Sequence, residues 1–291
     1  MFAIKILKYS LQAVFVYLFF ITIKIIGLKL SRKFFSFLFN KIGPLIKSEH
    51  VINNNLEKFL GYYNEDIKKN IKLKMWNNYG KTFVEYIFLK RFKKNNSHIT
   101  IKGEEILDKI KKNNKPVIFV SGHFANFELM SMELTKKNIK LATIYRPLNN
   151  FFLNFFMEYL RKKYICPNQI KKGIAGVKNS IQSIKEKFSI ALMIDQRVSE
   201  GKKLPFFGHM ALTTTLPSQI ALKFNLDIVP IYIARKKDDN FEMEIYEPIK
   251  ILKDNDPETN KLNISIKLNK ILEEMISRNP DQWIWTHNRW K

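Results

Sequence analysis

PVIFVSGHFANFELM, residues 116–130, carries five apolar residues straight into Ser121-Gly122-His123 and then into a helix-forming run. A short, unbroken apolar segment is the pattern of a strand covered on both faces. A glycine at its C-terminal end lets the backbone turn closely, and in open α/β sheets that end is where ligands bind. The stretch predicts a strand–turn–helix unit, with His123 projecting from the turn and Glu128 in the first turn of the helix. On one continuous helix, five residues would set the two side chains about 140° apart. Across a turn, the same spacing can bring carboxylate and imidazole together. Glu128 would then fix the tautomer of His123 and stabilise its imidazolium, while the other ring nitrogen takes a proton from a hydroxyl. A buried His–Glu pair with no chemistry gives the same local pattern.

Outward from this unit, short strands alternate with helices. Strands are expected at 98–102, 116–120, 141–145, 189–194, 227–234 and 241–247. Helices are expected near 103–114, 126–138, 149–162, 173–187, 215–224 and 257–278, with two more at 51–63 and 65–94. This alternation argues for an α/β fold with a mixed, largely parallel sheet flanked by helices. The strand at 241–247 follows its predecessor across KKDDN, a hairpin-like loop, so that edge should be antiparallel.

Ahead of these elements, residues 9–28, YSLQAVFVYLFFITIKIIGL, form an apolar run. Twenty helical residues span roughly 30 Å, the thickness of a bilayer's hydrocarbon core. Lys24 lies near one end, where a lysine can snorkel. No small-x-small cleavage site follows, and a basic, aromatic segment continues instead, which suits the headgroup level of an anionic leaflet. The first 50 residues hold eight Lys/Arg against one Glu, with the larger cluster after the run. By the positive-inside rule the body of the protein then faces the cytoplasm, behind a single N-terminal membrane-anchoring helix. A buried core helix is the competing reading. Residues 1–50 are expected to be the anchor and interfacial segment. Residues 51–291 would be the working domain, with 51–97 as a helical lead-in and 98–291 as the α/β core and tail.

The 291 residues include 50 basic and 26 acidic side chains, a net charge of +24. Such a field attracts anionic partners. The single Cys166 excludes an intrachain disulfide and a zinc cluster, and core packing suits it best. No His-Glu-x-x-His, Walker loop or Gly-x-Gly-x-x-Gly is present, so neither a metal nor a nucleotide cofactor is called for.

Longer motifs bring the chain closer to a known family. SGHFANFE (121–128) resembles the His-x-x-x-x-Asp/Glu motif of the glycerolipid acyltransferase superfamily. It looks most like the lipid A biosynthesis (late) acyltransferases, where the segment commonly reads Gly-His-x-Gly-Asn-Trp-Glu. IYRPLNN (144–150) is similar to that family's Tyr-Arg-Pro segment. IDQRVSEGKKLPFFGHMALTT (194–214) is similar to its Asp-Gln and Pro-Phe-Phe-Gly block, and RNPDQWIWTHNRWK (278–291) to its terminal His-x-Arg-Trp signature. Ala125 stands for the usual Gly and Phe127 for the usual Trp.

The resemblance implies acyl transfer from an acyl carrier protein thioester, or acyl-CoA in some relatives, to a hydroxyl of an anionic glycolipid, the lipid A precursor. No cofactor and no nucleic acid would be involved. His123 would be the general base and Glu128 its orienting acid. Arg146, at a strand end, suits a phosphate, a carboxylate or the oxyanion. Asn126 would either contact substrate or cap the helix, and Asp195 and Gln196 end another strand in the same crevice with no assigned role. Phe207 and Gly208, with Phe206, would line the acyl channel, and Arg235 is a weaker anion ligand. Thr214 or Thr215 ahead of Pro217 reads as a helix start. Trp283, Trp285 and Trp290 fit either interfacial anchoring or docking of the tail. Other acceptors (a lysophospholipid, glycerol phosphate or another glycolipid), a lipid ester or thioester hydrolase and a non-catalytic basic membrane module are the competing functions.

Overall fold

The computed structural model describes residues 2–61, 65–251 and 256–291. Four long helices lead: α1 (Phe2–Ile26), α2 (Leu28–Ile46), α3 (Glu49–Leu60) and α4 (Glu65–Glu85). Gly27 separates the first two with φ 85°, a left-handed turn that glycine enters without a Cβ penalty. α2 lies along α4 at backbone contact, for a Cβ on Gly80 would sit 2.2 Å from the Phe35 carbonyl oxygen. Phe20, Ile23, Phe35 and Val84 form a small core that joins α1 to this pair. Tyr17 also donates to the Phe152 carbonyl at 2.8 Å. The rest of α1 is apolar and outward-facing, Ile4 being 72% and Ile25 81% exposed. Residues Ile4–Ile26 are long and apolar enough to cross a membrane.

The α/β body follows in chain order. It comprises α5 (Leu89–Lys94), β1 (Ile99–Lys102), α6 (Glu104–Asn113), β2 (Ile118–Ser121), α7 (Glu128–Lys136) and β3 (Leu141–Tyr145). Next come α8 (Phe151–Leu160), β4 (Asn168–Lys171), α9 (Ile174–Lys185), β5 (Ser189–Met193), β6 (Lys202–Phe206) and β7 (His209–Thr213). The chain closes with α10 (Leu216–Phe224), β8 (Ile228–Arg235), β9 (Phe241–Ile245) and α11 (Pro257–Arg278). Seven strands make one sheet in the order β1-β9-β8-β2-β5-β3-β4. All neighbours are parallel except β8 and β9, antiparallel as the short KKDDN loop predicts, though β9 is not the edge it was expected to be because β1 pairs outside it. β2 sits centrally with all four residues buried, which explains its unbroken apolar sequence. Core clusters cover both faces of the sheet.

Three features depart from the expected elements, the first being the 65–94 helix, which a 3-10 turn at Tyr86–Phe88 divides into α4 and α5. β4 is an edge strand, Asn-Gln-Ile-Lys, with one buried residue and hence no apolar alternation to announce it. β6 and β7 form a separate antiparallel hairpin, closed by Phe207-Gly208 with φ of 49° and 70°. Positive φ at both turn positions matches the sheet twist of a two-residue hairpin. The tail packs on this hairpin: Phe206, Trp283 and Trp285 are fully buried, and Trp290 donates to the Phe206 carbonyl at 3.1 Å. Of the two fates open to the tryptophans, docking onto the domain is the one observed.

Candidate active site

β2 and β5 are adjacent and parallel, so their C-terminal ends deliver His123 and Asp195 to one edge of the sheet. Gly122 makes their approach possible, since a Cβ there would meet the Phe124 ring at 2.7 Å and the Asp195 side chain at 3.4 Å. Asp195 accepts three hydrogen bonds: from the His123 backbone N–H (2.9 Å), from His123 Nδ1 (2.8 Å) and from Trp283 Nε1 (2.8 Å). Burial by itself would raise the Asp195 carboxyl, but the His123 ring and these donors outweigh it and hold the group below its ordinary 3.8. An ionised Asp195 obliges His123 to carry its proton on Nδ1. Nε2 is left as a bare acceptor.

The carboxylate paired with His123 is therefore Asp195, and the orienting role expected of Glu128 is corrected. Glu128 opens α7, and its Oε1 accepts from Tyr86 Oη (2.8 Å), Arg161 Nε (2.8 Å) and Arg161 Nη2 (2.6 Å). Arg161 starts a π-helical turn, Arg161–Ile165, at the end of α8. Burial disfavours its charge, but the Glu128 carboxylate more than compensates and keeps the guanidinium above its usual range. Burial, and then Glu128, push the Tyr86 hydroxyl up as well. Nothing local in the sequence announces Arg161.

The loop between His123 and α7 is held from behind. Ala125 adopts φ 43°, a left-handed conformation that costs a non-glycine residue roughly 1–2 kcal/mol. That strain accounts for the glycine usual at this position in the family pattern. The Ala125 N–H donates to Gln282 O at 2.9 Å, and its carbonyl accepts from Thr82 Oγ1 at 3.2 Å. Asn126 is buried and donates to Glu85 Oε2 at 2.9 Å. It thus braces the loop and neither lies open to substrate nor caps α7, whose N-cap is Phe127. Glu85 itself is fully buried between two guanidinium groups, accepting from Arg32 Nε (2.8 Å) and from Arg235 Nη1 and Nη2. Arg235, a sequence candidate for anion binding, is spent in this internal cluster.

Two cavities meet at His123, which lines both together with Phe127. The Phe127 ring stands edge-on to the imidazole with centroids 4.6 Å apart. The larger cavity, about 520 Å³, is basic, with Lys47, Arg146, Arg161, Lys172 and Arg197 in its wall beside Gln196 and His287. Lys172 is held below its usual pKa by partial burial and then by the neighbouring Arg146 charge. Glu128 in the same wall pairs with Arg161, and Lys47, Arg146, Lys172 and Arg197 leave an excess of positive charge that suits an anion. The smaller cavity, about 240 Å³, is walled by Phe39, Tyr79, Phe83, Tyr86, Trp283 and Ile284 and is largely apolar.

Of the expected site residues, His123, Glu128, Arg146 and Gln196 line the larger cavity and Asp195 stands behind the histidine. Phe207 and Gly208 do not. They are the hairpin turn described above, with the Phe207 N–H bound to Glu273 Oε1 (2.7 Å) and its ring against Phe59. The residues expected to line an acyl channel thus lie outside both cavities at His123. Thr214 reaches the larger cavity while accepting from the Leu216 N–H (3.3 Å), and Thr215 precedes α10 as a helix start. Cys166 is buried, its thiol against the Leu141 carbonyl.

With this geometry, the whole-chain comparison is decisive: the model of the bacterial lipid A biosynthesis acyltransferases matches residues 2–291. The chain belongs to that family. Among curated relatives, lipid A biosynthesis acyltransferase 2 of Shigella flexneri is 25% identical over 191 residues, 63% of this chain and 58% of the relative. The lipid A biosynthesis palmitoleoyltransferase of Escherichia coli (strain K12) is 24% identical over 203 residues, 66% of this chain and 61% of that protein. The lipid A biosynthesis myristoyltransferase of the same strain is 20% identical over 186 residues, 63% and 56% respectively. The match thus spans less than two thirds of each of these relatives' length.

Proposed function

We propose that the protein moves a fatty acyl group from an acyl carrier protein thioester to a hydroxyl of a lipid A precursor. His123 is the general base and Asp195 is the group that orients it. The observation carrying this reading is His123, its Nδ1 paired with the buried Asp195 carboxylate, at the junction of a basic cavity and an apolar one. The basic cavity suits a phosphorylated acceptor and the apolar one suits the acyl chain.

The acceptor oxygen bonds to the thioester carbonyl carbon as its proton passes to His123 Nε2. The C=O electron pair moves onto oxygen, giving a tetrahedral oxyanion. Collapse re-forms C=O and breaks C–S, and the thiolate takes the proton back from the imidazolium. Asp195 stays ionised throughout and stabilises the imidazolium. No covalent enzyme intermediate forms. Arg161, held by Glu128, and Arg146 and Lys172, which have no ion-pair partner within salt-bridge distance among the described residues, supply positive charge for the phosphates or the oxyanion. Residues 1–50 hold the enzyme at the cytoplasmic face of the inner membrane, and 51–291 carry the chemistry. The apolar length of α1 and its flanking lysines support this placement.

The test uses the full chain in detergent with labelled acyl–acyl carrier protein and a tetra-acylated, Kdo-bearing precursor. A penta-acylated product is expected, and His123→Ala should lose about 10²–10⁴ in rate while remaining folded. Release of free fatty acid in the presence of acceptor would instead make the protein a hydrolase. Turnover unaffected by His123→Ala would end the reading.

A further inference from the structure

A second histidine faces the larger cavity, and its environment is the reverse of that of His123. His287 Nε2 accepts a hydrogen bond from the Arg197 backbone N–H at 2.9 Å. A ring nitrogen that accepts is unprotonated, so a neutral His287 carries its hydrogen on Nδ1. Burial drives its pKa down to about 4, which keeps the ring neutral at physiological pH. The Nε2 contact is the ring's one hydrogen bond among the described residues, and the ring lines the larger cavity, which His123 also lines.

Its backbone is immobilised. Asn55 Nδ2 donates to the His287 carbonyl at 2.7 Å and to the Trp285 carbonyl at 2.8 Å. Two residues on, the buried Arg289 side chain donates to Leu212 O and Thr213 Oγ1, both at 2.7 Å. The two histidines are thus anchored through opposite atoms. His123 is held by its N–H and presents a lone pair, and His287 is held by its lone pair and presents an N–H.

We propose that His287 is a catalytic residue, a neutral donor whose Nδ1–H binds the thioester carbonyl oxygen and stabilises it as the oxyanion forms. This rests on the acyl-transfer reading. A neutral imidazole suits the task because it donates without a proton to lose to the thiolate, and burial makes the hydrogen bond stronger than it would be in water. No proton leaves His287 in the step, so the balance written above for His123 is unchanged.

Three measurements test the proposal on the full chain in detergent. His287→Ala should lower kcat by about 10²–10³-fold with KM for the thioester little changed, the mark of an interaction made in the transition state. His287→Gln, which keeps an acceptor for the Arg197 N–H and a donor for the cavity, should recover most of that loss. A residue that only supports the tail would not discriminate alanine from glutamine in kcat alone. If the alanine variant fails to fold, ¹⁵N NMR of the intact protein decides, with only five histidines to resolve. The His287 signal should show protonated Nδ1 and bare Nε2, and Nδ1–H should move on adding an acyl-pantetheine analogue with CH2 in place of the thioester sulfur. A proton on Nε2, no response to that ketone, or His287→Ala within threefold of the parent kcat overturns the assignment. Loss of turnover in His123→Ala with any of those results would leave the acyl-transfer reading standing and remove only His287 from it.

Discussion

Asp195→Asn is the most informative single substitution, because its effect follows from counting hydrogens. Asp195 Oδ2 faces two N–H donors, the His123 backbone and the Trp283 indole, while Oδ1 faces only the His123 ring. An asparagine keeps both backbone and indole satisfied by placing its oxygen at the Oδ2 position. Its NH2 group then points at His123 Nδ1, which must become an acceptor, so the imidazole hydrogen moves to Nε2. The base is lost while shape and packing are conserved. A wrong tautomer of this kind costs about 10⁴ in kcat in the serine-protease precedent, or roughly 5.4 kcal/mol at 1.36 kcal/mol per decade. Asp195→Ala differs in kind: it leaves two buried N–H donors unmatched, at about 1–3 kcal/mol each. Acyl transfer measured beside thermal melting should therefore separate the two variants. The asparagine variant should be nearly inactive and close to parental in stability, and the alanine variant both inactive and destabilised. An asparagine variant within tenfold of the parent, alongside a Glu128→Gln variant that is inactive, would refute this reasoning and return the orienting role to Glu128.

Other substitutions probe the supports. Glu85→Ala should destabilise by about 3–5 kcal/mol in chemical denaturation, since it strands Arg32 and Arg235 in the interior. Gly80→Ala should cost about 1–3 kcal/mol by forcing α2 away from α4, an overpacking read as a lower melting temperature. Arg146→Ala combined with Lys172→Ala should raise KM for the phosphorylated acceptor more than it lowers kcat, and should flatten the salt dependence of acceptor binding. The depressed pKa of His287 predicts a pH effect on stability. Unfolded histidine takes up a proton near 6.5 and the folded ring only near 4, so its contribution is complete above 6.5 and is lost as pH falls from 6.5 towards 4. Over that window the melting temperature of His287→Gln should fall less than the parent's.

Much of the fold is legible in the sequence because buried parallel strands and amphipathic helices write their periods locally. The Ile118–Ser121 strand and the Pro257–Arg278 helix fall where the pattern puts them. The site is legible only in part. His123 is visible through the glycine turn beside it, but its partner lies 72 residues away on the neighbouring strand. Spacing along the chain favours the nearer carboxylate and overlooks the tertiary one. Asp195 does announce itself as an acidic residue closing an apolar strand, and sheet adjacency is what assigns its role. Phe207-Gly208 was open to a better reading: two residues with glycine second, between two strand-like runs, are a hairpin turn before they are a pocket wall. Arg161 carries no such signal, and His287 shows only as the first residue of the terminal His-x-Arg-Trp signature, with no role attached. One depends on a π-helical turn and the other on the Arg197 backbone N–H, and neither is a property of nearby residues.

The indole of Trp283 supplies one of the three hydrogen bonds on Asp195, and the 283–290 segment closes over the β6–β7 hairpin. During translation this segment emerges long after the apolar N-terminal helix. Until it does, Asp195 lacks the Trp283 hydrogen bond and the hairpin lacks its cover. Cleavage near residue 280 would withdraw the buried Trp283, Trp285 and Arg289 together, so the tail cannot be cut away without taking part of the core with it.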